Sequence, residues 1–196
     1  MSDGSSETFP AFRLTVVCTG ALYASMVPWW IARARVTMPQ LDLRIVVTRS
    51  AARFVSIDAL TMFSGRPATL DEWPDRVSTA PHVELVEWSD AFAVYPASAH
   101  SIARLATGIT DTPSLLALQC TRAPIAVAPS LPEGSLESPA MRRNLAALSA
   151  ADNILMIKPV TGRSWTTGRD TAAIPPPFSD VVRALRDHMS DRSANP

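Results

Sequence analysis

Short apolar runs alternate with helix-like segments along most of this chain. Five runs predict buried strands, at residues 14–18, 43–47, 91–95, 124–128 and 154–157. Continuous apolar runs rich in β-branched residues are typical of parallel strands that are covered on both faces. The alternation therefore predicts an α/β fold, with a doubly wound, Rossmann-like or flavodoxin-like, mostly parallel sheet and helices on both of its faces.

The length and charge of the chain limit its class. A chain of 196 residues is long enough for one such domain. We expect it to span 11–190, between a disordered leader at 1–10 and a disordered tail at 191–196. Eighteen basic residues balance eighteen acidic ones, which argues against a nucleic-acid partner. The hydrophobic content of 47% suggests that some apolar surface is buried between subunits.

The uncharged stretch 14–32 is roughly as long as a membrane-spanning helix. Because it contains Gly20 and Pro28 and begins with β-branched residues, it favours a strand, a turn and an amphipathic helix instead. The polar, acidic start of the chain does not resemble a signal peptide. We therefore expect a cytoplasmic protein that does not enter a membrane. The two cysteines and three histidines do not form a pattern typical of a disulfide or a metal site.

Residues 90–111 are the stretch around which the chain is organised. Pro96 is expected to end the strand before it, and Ser98 to cap a helix that starts near Ala99 and stops at Gly108. Such a corner leaves backbone N–H groups and a hydroxyl exposed at a helix N-terminus, where a flat or anionic ligand can bind. Most corners of this composition need their small residues only for packing, so the corner alone is a weak indication of a ligand.

Other turns follow the carboxyl ends of predicted strands, at Gly20, Thr48 and Pro129. Because ligands of doubly wound sheets bind beyond the carboxyl ends of the strands, we expect these turns to converge with Pro96 on one crevice. The hydroxyls after the second strand either reach the same ligand or cap the helical segment that follows.

Two further segments have open roles in the sequence. His82 stands between a proline and a strand-like VELV run, which is typical of a surface histidine. Residues 160–177 predict a long polar loop, and loops of this length are uncommon without a function.

Three segments, in chain order, resemble the homo-oligomeric flavin-containing cysteine decarboxylases, and the resemblance covers about residues 11–190. TGALYAS is similar to the family's first flavin loop, and VVTRSAARFV to its second. PHVELVEWSDAFAVYPASAHSIARLATGITD resembles the family block of a histidine, an apolar strand, PASANT and GI-D, with its spacing kept. The family includes phosphopantothenoylcysteine decarboxylases and the peptidyl-cysteine decarboxylases of lanthipeptide pathways.

The resemblance implies an FMN-dependent enzyme, both lyase and oxidoreductase. It would decarboxylate a C-terminal peptidyl cysteine oxidatively to an aminoenethiol, in the biosynthesis of a modified peptide natural product. It also implies a catalytic His82 and a homo-oligomer, either a trimer or a dodecamer of four trimers, with FMN near a subunit interface. No metal is implied. The implied FMN-binding residues are Gly20, Ala21, Thr48, Ser50, Phe54, Pro96, Ala97, Ser98 and Ser101. The implied substrate residues are Pro129, Leu131, Pro132, Arg163, Trp165 and Gly168, with 160–176 as a clamp over the precursor peptide.

Two positions depart from the family pattern. Pro132 stands where the family has an asparagine that helps to hold the substrate, and His100 replaces an asparagine within PASANT. These departures leave open an FMN-binding accessory or regulatory protein without decarboxylase activity. The coenzyme A enzymes keep a cysteine in the clamp, whereas no cysteine follows Cys120 here, which argues against phosphopantothenoylcysteine as the substrate. A flavin prenyltransferase shares the fold, but His82 and the clamp fit it poorly.

Overall fold

A central parallel sheet organises the molecule. The computed structural model describes residues 11–76, 79–165, 167–170 and 172–194, so the predicted leader at 1–10 lies outside the described residues. The bounds of the strands are β1 Phe12–Cys18, β2 Leu41–Val47, β3 Thr69–Leu70, β4 Ala91–Ala97, β5 Ile125–Pro129 and β6 Ile154–Met156. They pair in parallel in the order β3-β2-β1-β4-β5-β6. The order confirms the predicted doubly wound α/β fold, which changes direction between β1 and β4.

Helices cover both faces of the sheet. Their bounds are α1 Val27–Thr37, α2 Ile57–Ser64, α3 Pro81–Trp88, α4 Ala99–Ala106, α5 Pro113–Cys120, α6 Pro139–Ser149 and α7 Phe178–Ala194. Side chains of α1, α2 and α7 pack on one face, and those of α3 to α6 on the other. Helix α7 extends into the predicted tail at 191–196, of which residues 195–196 lie outside the described part.

Alternate residues of each central strand serve opposite cores, as the pleat of a strand requires. In β4, Ala93 and Tyr95 join the core beneath α1 and α7, whereas Phe92 and Val94 join the core beneath α4 and α5. All four side chains are almost completely buried. This double burial explains why the strands are continuous apolar runs in the sequence.

The uncharged stretch 14–32 is divided among three elements. It contains most of β1, a short 3-10 helix at Leu22–Met26 and the first half of α1. Within the described ranges, none of the helices is both long enough and apolar enough to cross a membrane.

Three local predictions were wrong. The VELV run lies in α3 rather than in a strand, because Pro81 occupies the first helical turn, where a missing N–H costs nothing. Pro96 does not end β4, which continues to Ala97 through a register shift that accommodates a residue without an N–H. The predicted loop at 160–177 contains an antiparallel hairpin, formed by β7 Val160–Gly162 and β8 Ala172–Ile174.

Tyr95 anchors the segment that leads from this hairpin to α7. Its hydroxyl donates a hydrogen bond of 2.9 Å to the backbone carbonyl of Pro176, 81 residues away. Its ring lies 5.2 Å from that of Phe178, centroid to centroid. Tyr95 is 1% exposed, and burial is the main cause that raises the pKa of its hydroxyl. The hydroxyl is therefore a neutral donor that holds the hairpin segment against the centre of the sheet.

The replacement Tyr95→Phe should lower the free energy of unfolding by about 1 to 3 kcal/mol, because it leaves the buried Pro176 carbonyl without its donor. Urea unfolding monitored by circular dichroism measures this change. Tyr23→Phe is the matched control, since it removes a hydroxyl that is not buried. An equal loss in both variants would contradict the anchoring role.

Cys18 should make stability depend on alkaline pH. Burial raises the pKa of its thiol from 9.0 to about 12, so the unfolded chain releases this proton at a lower pH than the folded chain does. Its contribution is complete below pH 9 and is lost as the pH rises toward about 12, at up to about 1.4 kcal/mol per pH unit. Unfolding measured from pH 8 to 11 should show a shallower decline for Cys18→Ala than for the unsubstituted protein. Cys120→Ala, which removes an exposed thiol, should leave the decline unchanged.

Candidate functional site

A hydrogen-bonded junction joins the carboxyl ends of β1 and β4. The Thr19 hydroxyl donates to the carbonyl of Pro96 at 2.6 Å and accepts from the N–H of Ser98 at 2.8 Å. The Ser101 hydroxyl lies 3.2 Å from the same Thr19 oxygen and 2.9 Å from the Ser98 carbonyl. Ser98 caps α4, since its side-chain oxygen accepts from the Ser101 N–H. The junction fixes the α4 N-terminus at the point where the strand order reverses.

The end of β2 lies beside this junction. Thr48 donates to the carbonyl of Cys18 and accepts from the N–H of Ala51, so it caps the short turn that follows β2. This bears out the capping alternative for Thr48. A Cβ placed on Gly20 would lie 2.5 Å from both Cβ and Oγ of Ser50. The loops after β1 and β2 therefore meet so closely that any side chain at position 20 would clash with Ser50.

Two adjoining cavities open above these loops. The first, here called the hairpin cavity, has a volume of about 600 Å³. It extends from the Gly20 turn to the β7–β8 hairpin, with residues from the loop after β5 on its third side. Its residues include Gly20, Ala21, Tyr23, Ser50, Ser98, His100, Ser130, Leu131, Pro132, Arg163, Trp165 and Ile174.

The second cavity, here called the hydroxyl cavity, has a volume of about 490 Å³. It is lined by Thr19, Thr48, Arg49, Ser50, Arg53, Asp71, Glu72, Ser98, His100, Ser101, Arg104, Asp111 and Thr112. Ser50, Ser98 and His100 border both cavities, so the two form one crevice at the switch point of the sheet. Both volumes lie in the range of roughly 300 to 1,000 Å³ that small-molecule and cofactor sites occupy.

The carboxylates of the hydroxyl cavity all have partners. Asp71 accepts from the N–H and the hydroxyl of Ser114, at 2.9 and 2.7 Å. Glu72 pairs with Arg49 at 2.8 Å, and Asp111 pairs with Arg104. Arg53 has no ion-pair partner within the described ranges. With the α4 N-terminus and the hydroxyls around it, this arrangement suits a phosphate or another anion.

The β7–β8 hairpin is fastened to the loop after β5. Leu131 and Ala173 exchange two backbone hydrogen bonds, with N···O distances of 2.8 and 3.2 Å. Arg169 and Glu133 form an ion pair at 2.9 Å across the same boundary. The hairpin is therefore held over the crevice as one of its walls.

The structure brings most of the sequence-predicted site residues together. The residues that line the crevice are Gly20, Ala21, Thr48, Ser50, Ser98, Ser101, Leu131, Pro132, Arg163 and Trp165. Those that do not line either cavity are His82, Phe54, Pro96, Ala97, Pro129 and Gly168. Pro96 nevertheless supplies the carbonyl that Thr19 binds, and Gly168 lies beside the Arg163 guanidinium.

His82 lies outside the crevice of its own chain. Its ring packs at 5.7 Å against Trp73, centroid to centroid, and the Trp73 indole N–H donates to the carbonyl of Asp111. The buried Nδ1 of His82 has no hydrogen-bond partner among the described residues. Its neighbours Trp73 and Val83 are 43% and 46% exposed, so His82 borders an apolar surface patch.

Sequence reasoning missed Thr19 and the arginines of the hydroxyl cavity. Thr19 is 1% exposed and bonds to residues 77 to 82 positions away. Thr19 directly follows β1, just as Ser98 directly follows β4, and this shared position is the feature of the sequence that could have indicated its role. A further cavity, of about 290 Å³, lies at the opposite edge of the sheet beside Phe12 and Leu41. Because ligands of such sheets bind at the carboxyl edge, the crevice is the candidate site.

Comparisons with known proteins agree with this fold. The sequence profile of the family described as Flavoprotein matches residues 3–190. Cypemycin cysteine dehydrogenase (decarboxylating) from Streptomyces sp is 34% identical over 170 residues, which are 86% of this chain and 87% of that protein. The coenzyme A biosynthesis bifunctional protein CoaBC of Mycobacterium tuberculosis (strain ATCC 25618 / H37Rv) is 32% identical over 150 residues. That match covers 76% of this chain and 35% of CoaBC.

Solved structures of similar proteins share the fold over nearly the whole chain. The cypemycin decarboxylase CypD superposes with a TM-score of 0.75 at 29% identity, covering 95% of this chain and 98% of that one. The FMN-dependent cysteine decarboxylase TvaF, from thioviridamide biosynthesis, gives a TM-score of 0.71 at 26% identity over 91% and 98%. These matches confirm the family resemblance read from the sequence, and the chain belongs to the Flavoprotein family.

Proposed function

We propose that this protein binds FMN in the crevice and decarboxylates the C-terminal cysteine of a peptide oxidatively, giving an aminoenethiol and CO2. The observation that carries the proposal is the crevice itself, where three strand ends and the α4 N-terminus meet at the switch point. The relative named as a decarboxylating cysteine dehydrogenase, at 34% identity, supports the reaction class.

The residues of the crevice fit a flavin mononucleotide. The hydroxyl cavity offers Ser50, Ser98 and Ser101, the α4 N-terminus and Arg53 to a phosphate. The Gly20 turn packs its backbone directly against Ser50, which holds the first two strand-end loops together at the edge of both cavities. Thr48 and Thr19 hold these loops in place rather than facing the ligand with free hydroxyls.

The chain's own residues would position the reactants and exclude water. FMN, when bound, supplies the two-electron oxidation of the carbon that bears the thiol. The wall formed by Leu131, Pro132 and the β7–β8 hairpin would hold the end of the peptide against the crevice. Trp165, which is 74% exposed at the hairpin, would cover the bound peptide.

His82 would move a proton in this reaction, since one ring nitrogen of an imidazole can accept a proton while the other donates one. Because it borders an exposed apolar patch rather than the crevice of its own chain, we place it against the crevice of a second copy. The patch formed by Trp73 and Val83 would then be covered in a homo-oligomer.

Gly20→Ala should weaken FMN binding at least tenfold, because its methyl group would force the Gly20 and Ser50 loops apart. Titration of the apoprotein with FMN, followed by flavin fluorescence, measures the change. The double replacement Gly20→Ala/Ser50→Gly removes the two atoms nearest to the methyl group, leaves the Ser50 backbone carbon at 3.1 Å, and should regain part of the affinity. Ser50→Gly alone is the matched control. If the unsubstituted protein binds no FMN at all, the proposed function is wrong.

His82→Asn should keep bound FMN and abolish the decarboxylation of cysteine-ended peptides, which mass spectrometry detects as the loss of the mass of formic acid. Mixing FMN-loaded, inactive His82→Asn protein with Gly20→Ala protein that has been freed of FMN, under conditions in which subunits exchange and no FMN is added, should restore activity. Each mixed assembly would then contain sites with an intact crevice from one chain and an intact His82 from another. Full activity of His82→Asn alone would remove His82 from the mechanism.

An FMN-binding accessory protein is the second candidate, and Pro132 favours it. This residue presents neither an N–H nor a polar side chain to the wall where a substrate would bind. Incubation of the FMN-loaded protein with peptides ending in cysteine separates the two candidates. Bound FMN with no loss of mass from any such peptide would favour the accessory role.

A further inference from the structure

The hairpin cavity contains a single charged side chain among the described residues that line it. That residue is Arg163, and the described lining includes no carboxylate. The cavity therefore favours a ligand, or an end of a ligand, that carries negative charge. The hydroxyl cavity differs, because it balances three arginines against three carboxylates.

Arg163, like Arg53 of the hydroxyl cavity, has no ion-pair partner in the described ranges, whereas three other arginines around the crevice do. Arg49, Arg104 and Arg169 each form an ion pair with an acidic residue. The structure gives no hydrogen bond or ion pair to the Arg163 guanidinium from any residue in the described ranges. One of its terminal nitrogens instead approaches the backbone of Gly168, 3.5 Å from the position that a Cβ would occupy there. Its donors are thus available to a ligand.

The neighbouring walls combine apolar side chains with hydroxyls such as those of Ser130 and Ser164, which can donate a hydrogen bond but carry no charge. Leu131 and Pro132 belong to the wall after β5. Ile174 lies on β8, opposite the strand that leads to Arg163. A Cβ on Gly162 would lie 2.4 Å from the end of the Ile174 side chain, so Ile174 covers the strand directly before Arg163. A carboxylate that enters this apolar corner finds its charged partner in Arg163.

The attachments of the β7–β8 hairpin position Arg163 beside the hairpin cavity. Ala173, paired with Leu131 by two hydrogen bonds, lies opposite Thr161 in the hairpin ladder. The Arg169–Glu133 ion pair fastens the other side of the tip to the same loop. Arg163 lies between these two attachments, in a segment whose ends are both tied to the wall of the cavity.

We propose that Arg163 recognises the C-terminal carboxylate of the peptide, an assignment that rests on the proposed function. The planar guanidinium fork matches a carboxylate with two parallel hydrogen bonds. This places Arg163 as a specificity-determining residue that distinguishes a free C-terminus from an internal or amidated one. Because the carboxylate is already charged in the ground state, the contact strengthens substrate binding more than it lowers the barrier to its departure.

Binding without turnover tests the proposal directly. Two peptides ending in serine, one with a free carboxylate and one with a carboxamide, are titrated into the FMN-loaded protein and followed by calorimetry. We expect the carboxylate peptide to bind roughly tenfold more tightly, and Arg163→Gln to reduce this ratio to near one. Arg163→Lys should keep part of the preference. Arg122→Gln is the matched control, since it removes an exposed arginine before β5, at the opposite edge of the sheet.

Turnover supplies the second readout. With cysteine-ended peptides, Arg163→Gln should raise KM roughly tenfold and change kcat little, because the lost contact is made before the reaction begins. An unchanged KM with a lowered kcat would overturn the assignment. So would a normal carboxylate preference in Arg163→Gln, provided that its melting temperature shows a folded protein.

Two outcomes distinguish carboxylate recognition by Arg163 from binding of the cofactor phosphate and from the proposed function as a whole. If Arg163→Gln weakens FMN but not riboflavin, and keeps the carboxylate preference, Arg163 holds the cofactor phosphate and the proposal is wrong. If the unsubstituted protein prefers the carboxylate peptide and Arg163→Gln loses that preference, but no cysteine-ended peptide is decarboxylated, the recognition stands and the proposed function fails.

Discussion

The hydrogen bonds of one threonine hold the site together. Thr19 joins the end of β1 to the end of β4, with one bond to the Pro96 carbonyl and one to the Ser98 N–H. Because Thr19 is buried, these bonds are not exchanged with water, and each backbone group would be left unpaired without them. The α4 N-terminus, the Gly20 turn and the Ser50 loop all take their positions from this junction.

The crevice above the junction is built from two separate parts of the structure, the main sheet and the β7–β8 hairpin. Its floor consists of strand ends, which the sheet holds rigidly, whereas its far wall is a small hairpin that stands outside the main sheet. The hairpin is connected to the rest by the Leu131–Ala173 pairing and by the Tyr95 bond to Pro176. A rigid floor suits the positioning of a cofactor, and a separately attached wall suits the binding of a substrate that must enter and leave.

The sequence allowed the fold and most of the crevice to be predicted, because both follow from local patterns. Apolar runs with intervening helical spacing predict a parallel sheet, and its carboxyl edge then holds the turns at Gly20, Thr48 and Ser98. The errors occurred where the local pattern is ambiguous. The VELV run is compatible with a strand or a helix. In the structure it is helical, and Leu85 packs in the core beneath α3.

Long-range contacts explain what the sequence did not show. The role of Thr19 depends on the pairing of β1 with β4, more than 70 residues apart, and its position directly after a strand is the one local sign of that role. The hairpin was missed because strands of three residues are too short to show a period of apolar residues. The position of His82 outside the crevice depends on how α3 packs against the sheet, which no local pattern shows.

The separate attachment of the hairpin has a consequence for how this protein can diversify. The described residues of its tip, 163–165 and 167–170, contribute to neither of the two cores. Mutations there can reshape the far wall of the crevice while the packed layers keep their stability. Sequence change can thus act on this segment with little folding penalty, in the way that antibody loops vary on a constant framework.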